Sequence, residues 1–408
     1  MRRRVLFVHQ NFPAQFVHLA PALAQRGDDV MALTAETNQR PQPVPVLRYI
    51  HDGTRFQDQA WRMAAHFAEQ ARRGESVAMA ALEMKRAGYT PDLIFGHPGW
   101  GETMFMADVW PGARLLSYAE FFYRSQGLDV GFDPEFRNPS AEQGMRVRSR
   151  QAAQLLALQS SALAVSPTSW QASTYPAELQ PRIRVIHDGI DTEHVRPFRE
   201  ATLTLPGGRP TLHQGDEILT FVSRNLEPYR GFHVFMRILP ELLRRRPHLQ
   251  VVIVGGDGNS YGGAPPGGGN WKTHMLTETG DRLDLARVHF TGKLPYSHYV
   301  KLMQITRVHA YLTYPFVLSW SCLEAMSAGA LVVASRTPPV EEMISHGENG
   351  LLVDFFDTAQ WVDRLADCLA EPARYAPLRE NARRTITTRY DLRSVCLPQQ
   401  IRLIDSCL

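Results

Sequence analysis

The pattern that most constrains this chain is an alternation that stops once and then resumes. Short apolar runs of strand length alternate with longer segments whose apolar residues recur at helical spacing. That alternation predicts an α/β chain with doubly wound parallel sheets. VLFVH (5–9) is followed by FVHLAPALAQRG, which closes on Gly27. Then come DVMALT (29–34), PDLIFGH (91–97), RLLSYA (114–119), the helix RSRQAAQLLALQSS, the strand ALAVS and RIRVIHDG (182–189). RPFREATLTLPGGRPTLHQGD (196–216) is rich in Pro, Gly and Thr and reads as a linker. The rhythm resumes with EILTFVSR (217–224), a helix near 232–246, LQVVIVGG (249–256), VHFTG (288–292), VHAYLTY (308–314) and ALVVAS (330–335). The segment 381–408 is helical in pattern. Ligands of such sheets bind at the carboxyl ends of the strands, so two domains predict a site in the cleft between those ends.

A length of 408 residues suits two domains of about 150 to 200 residues each. The net charge of +3 is too mild to imply nucleic acid. The four cysteines (322, 368, 396, 407) form no C-x-x-C or Cys/His cluster, so neither a zinc site nor a disulfide framework is expected, and a cytoplasmic setting is. MRRRVLFVHQNF starts like a signal peptide, but its apolar run VLFV is too short for one and reads as a first strand. No apolar run approaches a membrane span.

Four stretches carry candidate chemistry. In VSRNLEPYRGFHVF (222–235), Arg224 ends a strand and Arg230 precedes a helix. Two guanidiniums beside a helix N-terminus suit a diphosphate; the plainer alternative is two solvated arginines. In TYPFVLSWSCLEAMSAG (313–329), S-C-L-E (321–324) fits a capping box in which Glu324 reaches back to a backbone N–H. Alternatively, N–H groups near Leu318, Ser319 and Trp320 bind a phosphate or sugar hydroxyl, and Glu324 accepts from a ribose diol.

FGHPGWGET (95–103) and SYAEFFYR (117–124) follow strands and offer His97, Glu102 and Glu120 as acid/base groups or sugar ligands. Each could equally be a hydrogen-bonded loop residue. HQNFPAQF (9–16) follows the first strand, and Asn11, Ala14 and Gln15 could present amides to an anion. The Gly/Pro-rich run 255–276, with Tyr261, Trp271 and Lys272, is either a flexible surface loop or a mobile loop over the site. Its G-x-G pieces are weak evidence for a dinucleotide fingerprint. RVRSRQ (146–151) reads as a solvated helix face.

These residues bear a family resemblance. The chain resembles the retaining glycosyltransferases of family 4, with the GT-B fold, over nearly its whole length. VSRNLEPYRG is similar to the G-R-L-x-x-x-K-G segment of that family, with Arg224 at its arginine and Arg230 at its lysine. RIRVIHDGIDTEHVRP resembles V-I-x-N-G-V-D-T-x-x-F-x-P, with Asp188 for Asn. VHFTGKLPYSHYVKLM resembles the segment whose backbone, here around Lys293 and Leu294, receives the base. HGENGLLV and LEAMSAGALVVAS are close to family text.

The resemblance implies a Rossmann-like acceptor domain (1–195), a linker and hinge (196–216), a donor domain (217–385) and a C-terminal helix (386–408) packing back on the first. It implies a nucleotide-sugar co-substrate, a UDP- or GDP-sugar first, with no metal and no other cofactor. Arg224, Arg230 and the helix N-terminus would stabilise the departing diphosphate. The acceptor is left open among glycan, lipid carrier, protein, small molecule and modified nucleic acid, and peripheral membrane contact stays open too.

Three positions depart from the family pattern. Its first glutamate, eight positions before Glu324, falls on Phe316. Its glycine-rich first loop reads NFPAQF, and Glu120 stands where a histidine is frequent. The donor sugar is therefore expected to rest on the backbone around Leu318–Trp320 and on Glu120 or His97. A nucleotide-sugar epimerase or phosphorylase, and a non-catalytic nucleotide-sugar binder, are the alternatives.

Overall fold

The computed structural model describes residues 2–51, 63–137, 140–205 and 210–408. They form two compact units: Met1–Asp188 with Arg393–Leu408, and Gly189–Leu392.

The first unit is built on a parallel sheet of β1 (Arg4–Val8), β2 (Asp29–Ala35), β3 (Val46–Tyr49), β4 (Leu93–Gly96), β5 (Arg114–Tyr118), β6 (Leu163–Ser166) and β7 (Ile183–Val185), in the order 3-2-1-4-5-6-7. VLFV occupies the middle because all its side chains are apolar, and alternate residues of a strand face opposite ways. Val5 and Phe7 pack with Leu19, Leu23, Leu403 and Ile404 on one face. Leu6 and Val8 pack on the other with Val77 and Ala81 of the helix Ala65–Arg86. The helix Leu397–Cys407 thus supplies part of this unit's core, and Asp405 takes Arg26 at 2.8 Å and also Arg3. Strand β3 escapes a reading by pattern because VLRY is short, half-exposed and interrupted by Arg48.

In the second unit an antiparallel hairpin of β8 (Thr202–Thr204) and β9 (Thr211–His213) precedes a parallel sheet. That sheet contains β10 (Ile218–Asn225), β11 (Gln250–Gly256), β12 (Val288–Gly292), β13 (Val308–Tyr311), β14 (Leu331–Ser335) and β15 (Leu351–Val353), in the order 12-11-10-13-14-15. The segment 196–216 is therefore not a bare linker and hinge. Leu203, Leu205 and Leu212 are buried in the second unit's core, and the chain passes between units at Asp188/Gly189 and Leu392/Arg393. Its composition misled because TLTL and TLH alternate polar and apolar residues too briefly to register as strands. Positions 206–209 lie outside the described residues.

Each sheet has one point where strand order reverses, between β1 and β4 and between β10 and β13. Loops leaving the carboxyl ends there diverge and open a crevice.

Candidate functional site

In the first unit the crevice is lined by the loops after β1, β4 and β5. Glu120, half-buried after β5, accepts from Gln15 Nε2 at 3.3 Å and lies 3.3 Å from His97 Nε2. Gln171 Nε2 fixes the main-chain carbonyl of Glu120 at 2.7 Å. His97 is buried, and its Nδ1 accepts the Gly99 N–H at 3.0 Å. The network therefore assigns its proton to Nε2, which donates to Glu120. His9 packs edge-on to His97 with centroids 5.6 Å apart, and burial, His97 and Arg40 hold it well below the ordinary histidine range. The structure thus brings His97, Glu120 and Gln15 together.

Other expectations for this unit change. The Asn11 N–H is not open to an anion, because it donates to His9 Nδ1 at 2.9 Å. Ala14 has a left-handed backbone (φ 43°) next to the cis Phe12–Pro13 bond, and begins the short 3-10 turn Ala14–Phe16. Glu102 is fully buried and faces no solvent-filled crevice. Its Oε1 accepts the Gln10 N–H at 3.0 Å and the Tyr49 hydroxyl at 3.3 Å, so it holds the first loop to β3.

Burial raises the Glu102 carboxyl above the ordinary glutamate range. A pKa raised by folding favours the native state below the unfolded value and costs stability as pH rises through the folded one. Glu102→Gln keeps the accepting oxygen. Its stability relative to wild type should climb as pH rises from about 4, the unfolded glutamate value, to neutrality and above. Denaturant titrations across that range test this; parallel pH profiles would refute it.

In the second unit the crevice lies between the ends of β10 and β13. Arg224 is exposed at the penultimate position of β10. Arg230 is buried, and its Nη1 donates to Thr313 Oγ1 at 2.8 Å, to the Val317 carbonyl at 2.8 Å and to Tyr311 Oη at 3.4 Å. Among the described residues no carboxylate pairs with either arginine. Gly231 follows with φ 68°, and a Cβ there would stand 2.3 Å from Leu312 Cβ. Only glycine lets the chain turn from Arg230 into the helix Phe232–Arg245.

Phe316 is buried beside Arg230, whose Cζ lies 5.5 Å from the Phe316 centroid and 5.6 Å from that of Tyr261. The Tyr261 and Phe316 centroids are 4.7 Å apart, and Tyr229 meets Phe316 edge-on at 5.4 Å. Lys293 is exposed after β12, and its Cε passes close over Gly256, where a Cβ would meet it at 2.9 Å. Leu294 packs half-buried on the core.

The helix Trp320–Ala328 is capped by Ser319, whose Oγ accepts the Ser321 N–H at 3.4 Å. The capping-box reading of Glu324 is therefore overturned. Glu324 Oε1 accepts the Tyr296 hydroxyl and Oε2 that of Tyr299, both at 2.7 Å. Burial raises this carboxyl above its ordinary range, against the lowering effect of the two tyrosines. The Ser319 N–H is taken by Tyr311 Oη at 2.8 Å, and Leu318 is buried, while Trp320 is exposed. This start thus offers fewer open donors than expected.

Sequence reasoning missed Tyr296, Tyr299 and Glu227. The tyrosines sit on the helix Tyr296–Ile305, where their spacing of three puts both on one face; that face could have been read as polar. Glu227 was visible as the acid within an arginine-bearing turn. It is fully buried and accepts the amides of Tyr261 at 3.0 Å, Gly262 at 2.9 Å and Ser260 at 3.2 Å.

Known proteins match both units. Residues 26–195 fit the family described as Glycosyl transferase family 4 group, and residues 209–385 that described as Glycosyl transferases group 1. A D-inositol 3-phosphate glycosyltransferase from Rhodococcus jostii is 30% identical over 206 residues, 50% of this chain and 43% of the relative. One from Nocardia farcinica is 31% identical over 196 residues, 47% and 41% of the two chains. The chain thus spans less than half the length of these curated relatives. Sucrose-phosphate synthase from Thermosynechococcus elongatus superposes with a TM-score of 0.73 over 100% of both chains at 17% identity. Anabaena HepE in complex with UDP and glucose does so with a TM-score of 0.67, also over 100% of both at 17% identity. At that identity the structures speak for the fold, and the two sequence families cover the strands of both parallel sheets except β1. The chain belongs to glycosyltransferase family 4 and has the GT-B fold.

Proposed function

We propose that this chain transfers a glycosyl group from a nucleotide sugar to an acceptor hydroxyl with retention of configuration and without a metal ion. The observation that carries the reading is Arg230: a buried guanidinium at the strand-order reversal, held by three neutral oxygens and by no carboxylate among the described residues, with Arg224 exposed nearby. Its charge is preorganised and uncompensated, which suits a group that gains negative charge as it leaves. In the reaction the bond from the anomeric carbon to the diphosphate breaks and one to the acceptor oxygen forms. The acceptor proton passes to the departing phosphate. Glu120 and His97 serve the acceptor side as hydrogen-bonding groups.

Lys293 and Leu294 flank the base, and Glu324 holds the ribose. Each carboxylate oxygen has two lone pairs, so the tyrosines leave one on each for a diol. A uridine nucleotide is the first candidate, because HepE is seen with UDP and glucose. All four cysteines are free thiols, three of them buried, which agrees with a reducing, cytoplasmic setting. Among the described residues no helix is long and apolar enough to cross a membrane.

Thermal-shift measurements with UDP, GDP, ADP and dTDP test the donor half. A nucleotide at a hundred times its Kd stabilises by about 2.7 kcal/mol, so one base should stand out. No shift with any of the four would refute it. Incubating the selected nucleotide sugar alone separates the alternatives. An epimer or sugar phosphate formed without acceptor would favour the epimerase or phosphorylase reading.

A further inference from the structure

The run 257–270 leaves the carboxyl end of β11 and is rich in glycine, so its backbone should be loose. It is held instead by Glu227 of the turn that carries Arg230, by Asn225 at the end of β10 and by Trp271 at the start of the next helix. The buried carboxylate of Glu227 takes three consecutive amides, those of Ser260, Tyr261 and Gly262. Asn225 Nδ2 donates to Ser260 Oγ at 2.6 Å, and Trp271 Nε1 to the Gly263 carbonyl at 2.9 Å. Consecutive amides form a concave anion nest, and here the protein's own carboxylate fills it. A buried carboxylate is costly unless its lone pairs are filled. Glu227 makes no ion pair among the described residues, although Arg230 is three residues away, so both opposite charges are satisfied by neutral groups. Holding these amides directs the Tyr261 ring against Phe316, with Arg230 at the same aromatic cluster.

We propose that Glu227 is a positioning residue for the diphosphate site: by pinning the amides of Ser260, Tyr261 and Gly262 it keeps the Tyr261 ring over Arg230, where the ring excludes water from the guanidinium and the diphosphate it receives. Electrostatic attraction is stronger where water is shut out, so the loop raises affinity without touching charge. The inference rests on the reading of Arg230 as a diphosphate ligand.

Inorganic pyrophosphate, which has the charge and no base, is the probe, used with the intact chain. In Glu227→Gln, hydrogen exchange at the three amides should accelerate at least about tenfold and pyrophosphate affinity fall about tenfold. In Tyr261→Ala the amides should stay protected while affinity falls as far, which keeps the idea testable should Glu227→Gln fold poorly. The double variant should bind no worse than Tyr261→Ala, because Glu227 acts through that ring. Unchanged affinity in either single variant, or additive losses in the double one, overturns the proposal. If Arg230→Ala abolishes binding and Glu227→Gln leaves it intact, the proposal falls and the diphosphate reading stands. If wild type binds no pyrophosphate, both fall.

Discussion

Arg230→Ala is expected to lower glycosyl transfer by about a hundred- to a thousandfold in kcat, the usual cost of losing one preorganised donor to a developing negative charge. Arg230 Nη1 is shared among Thr313, Tyr311 and the Val317 carbonyl, so the side chain also ties the end of β10 to the loop after β13. Arg230→Lys should recover little, since an ammonium cannot reproduce the planar fork that serves these oxygens and a phosphate together. Arg224→Ala is the contrasting variant. Its side chain is exposed and makes no hydrogen bond or ion pair among the described residues, so stability should change by less than about 0.5 kcal/mol while diphosphate affinity drops. Steady-state kinetics with thermal melts on both variants separate the two roles. Full turnover by Arg230→Ala would remove the arginine from the reaction.

The second large effect is expected at Glu324. Glu324→Ala takes the acceptor from two phenolic hydroxyls at once. Tyr296 is exposed and its hydroxyl can turn to water, but Tyr299 is buried. The unsatisfied Tyr299 hydroxyl should cost about 1 to 3 kcal/mol in unfolding free energy, and Tyr299→Phe in the same background should restore much of it. For the ligand, the comparison is between ribo- and 2′-deoxyribonucleoside diphosphates of the base selected by thermal shift. Wild type should prefer the ribo form. Glu324→Gln, which loses one accepting oxygen, should lose most of that preference. Equal preference in the two proteins would leave Glu324 as a partner of tyrosines alone.

Much of this molecule can be read from its residues, and the failures have physical causes. Runs such as VLFV and LVVA betray parallel strands because both faces are buried, which leaves no polar residue to blur them. Strand β3 and the hairpin within 196–216 are short and half-wet, so their signal sinks into that of loops. Arg224 and Arg230 are legible as charges at a strand end, but not that the first is exposed while the second is buried against Thr313, Tyr311 and the Val317 carbonyl. Glu324 is legible as an acid but not in its partners, for Tyr296 and Tyr299 come from a helix about two dozen positions earlier. Glu227 is the instructive case. A local pattern says that an acid sits in the turn, but only the fold shows that three amides from beyond the next strand converge on it.

The first unit draws its last layer from the far end of the chain. Leu403 and Ile404 complete a core whose other members lie before residue 189. Gly189–Leu392 is unbroken and is synthesised before Arg393–Leu408. On the ribosome, then, the first unit departs from the usual N-terminal-first order of maturation, because its core is incomplete until Leu397–Cys407 has been made. Until then it waits, with an apolar face open, for the helix that closes it. That interval is when a nascent chain of this kind most needs a chaperone.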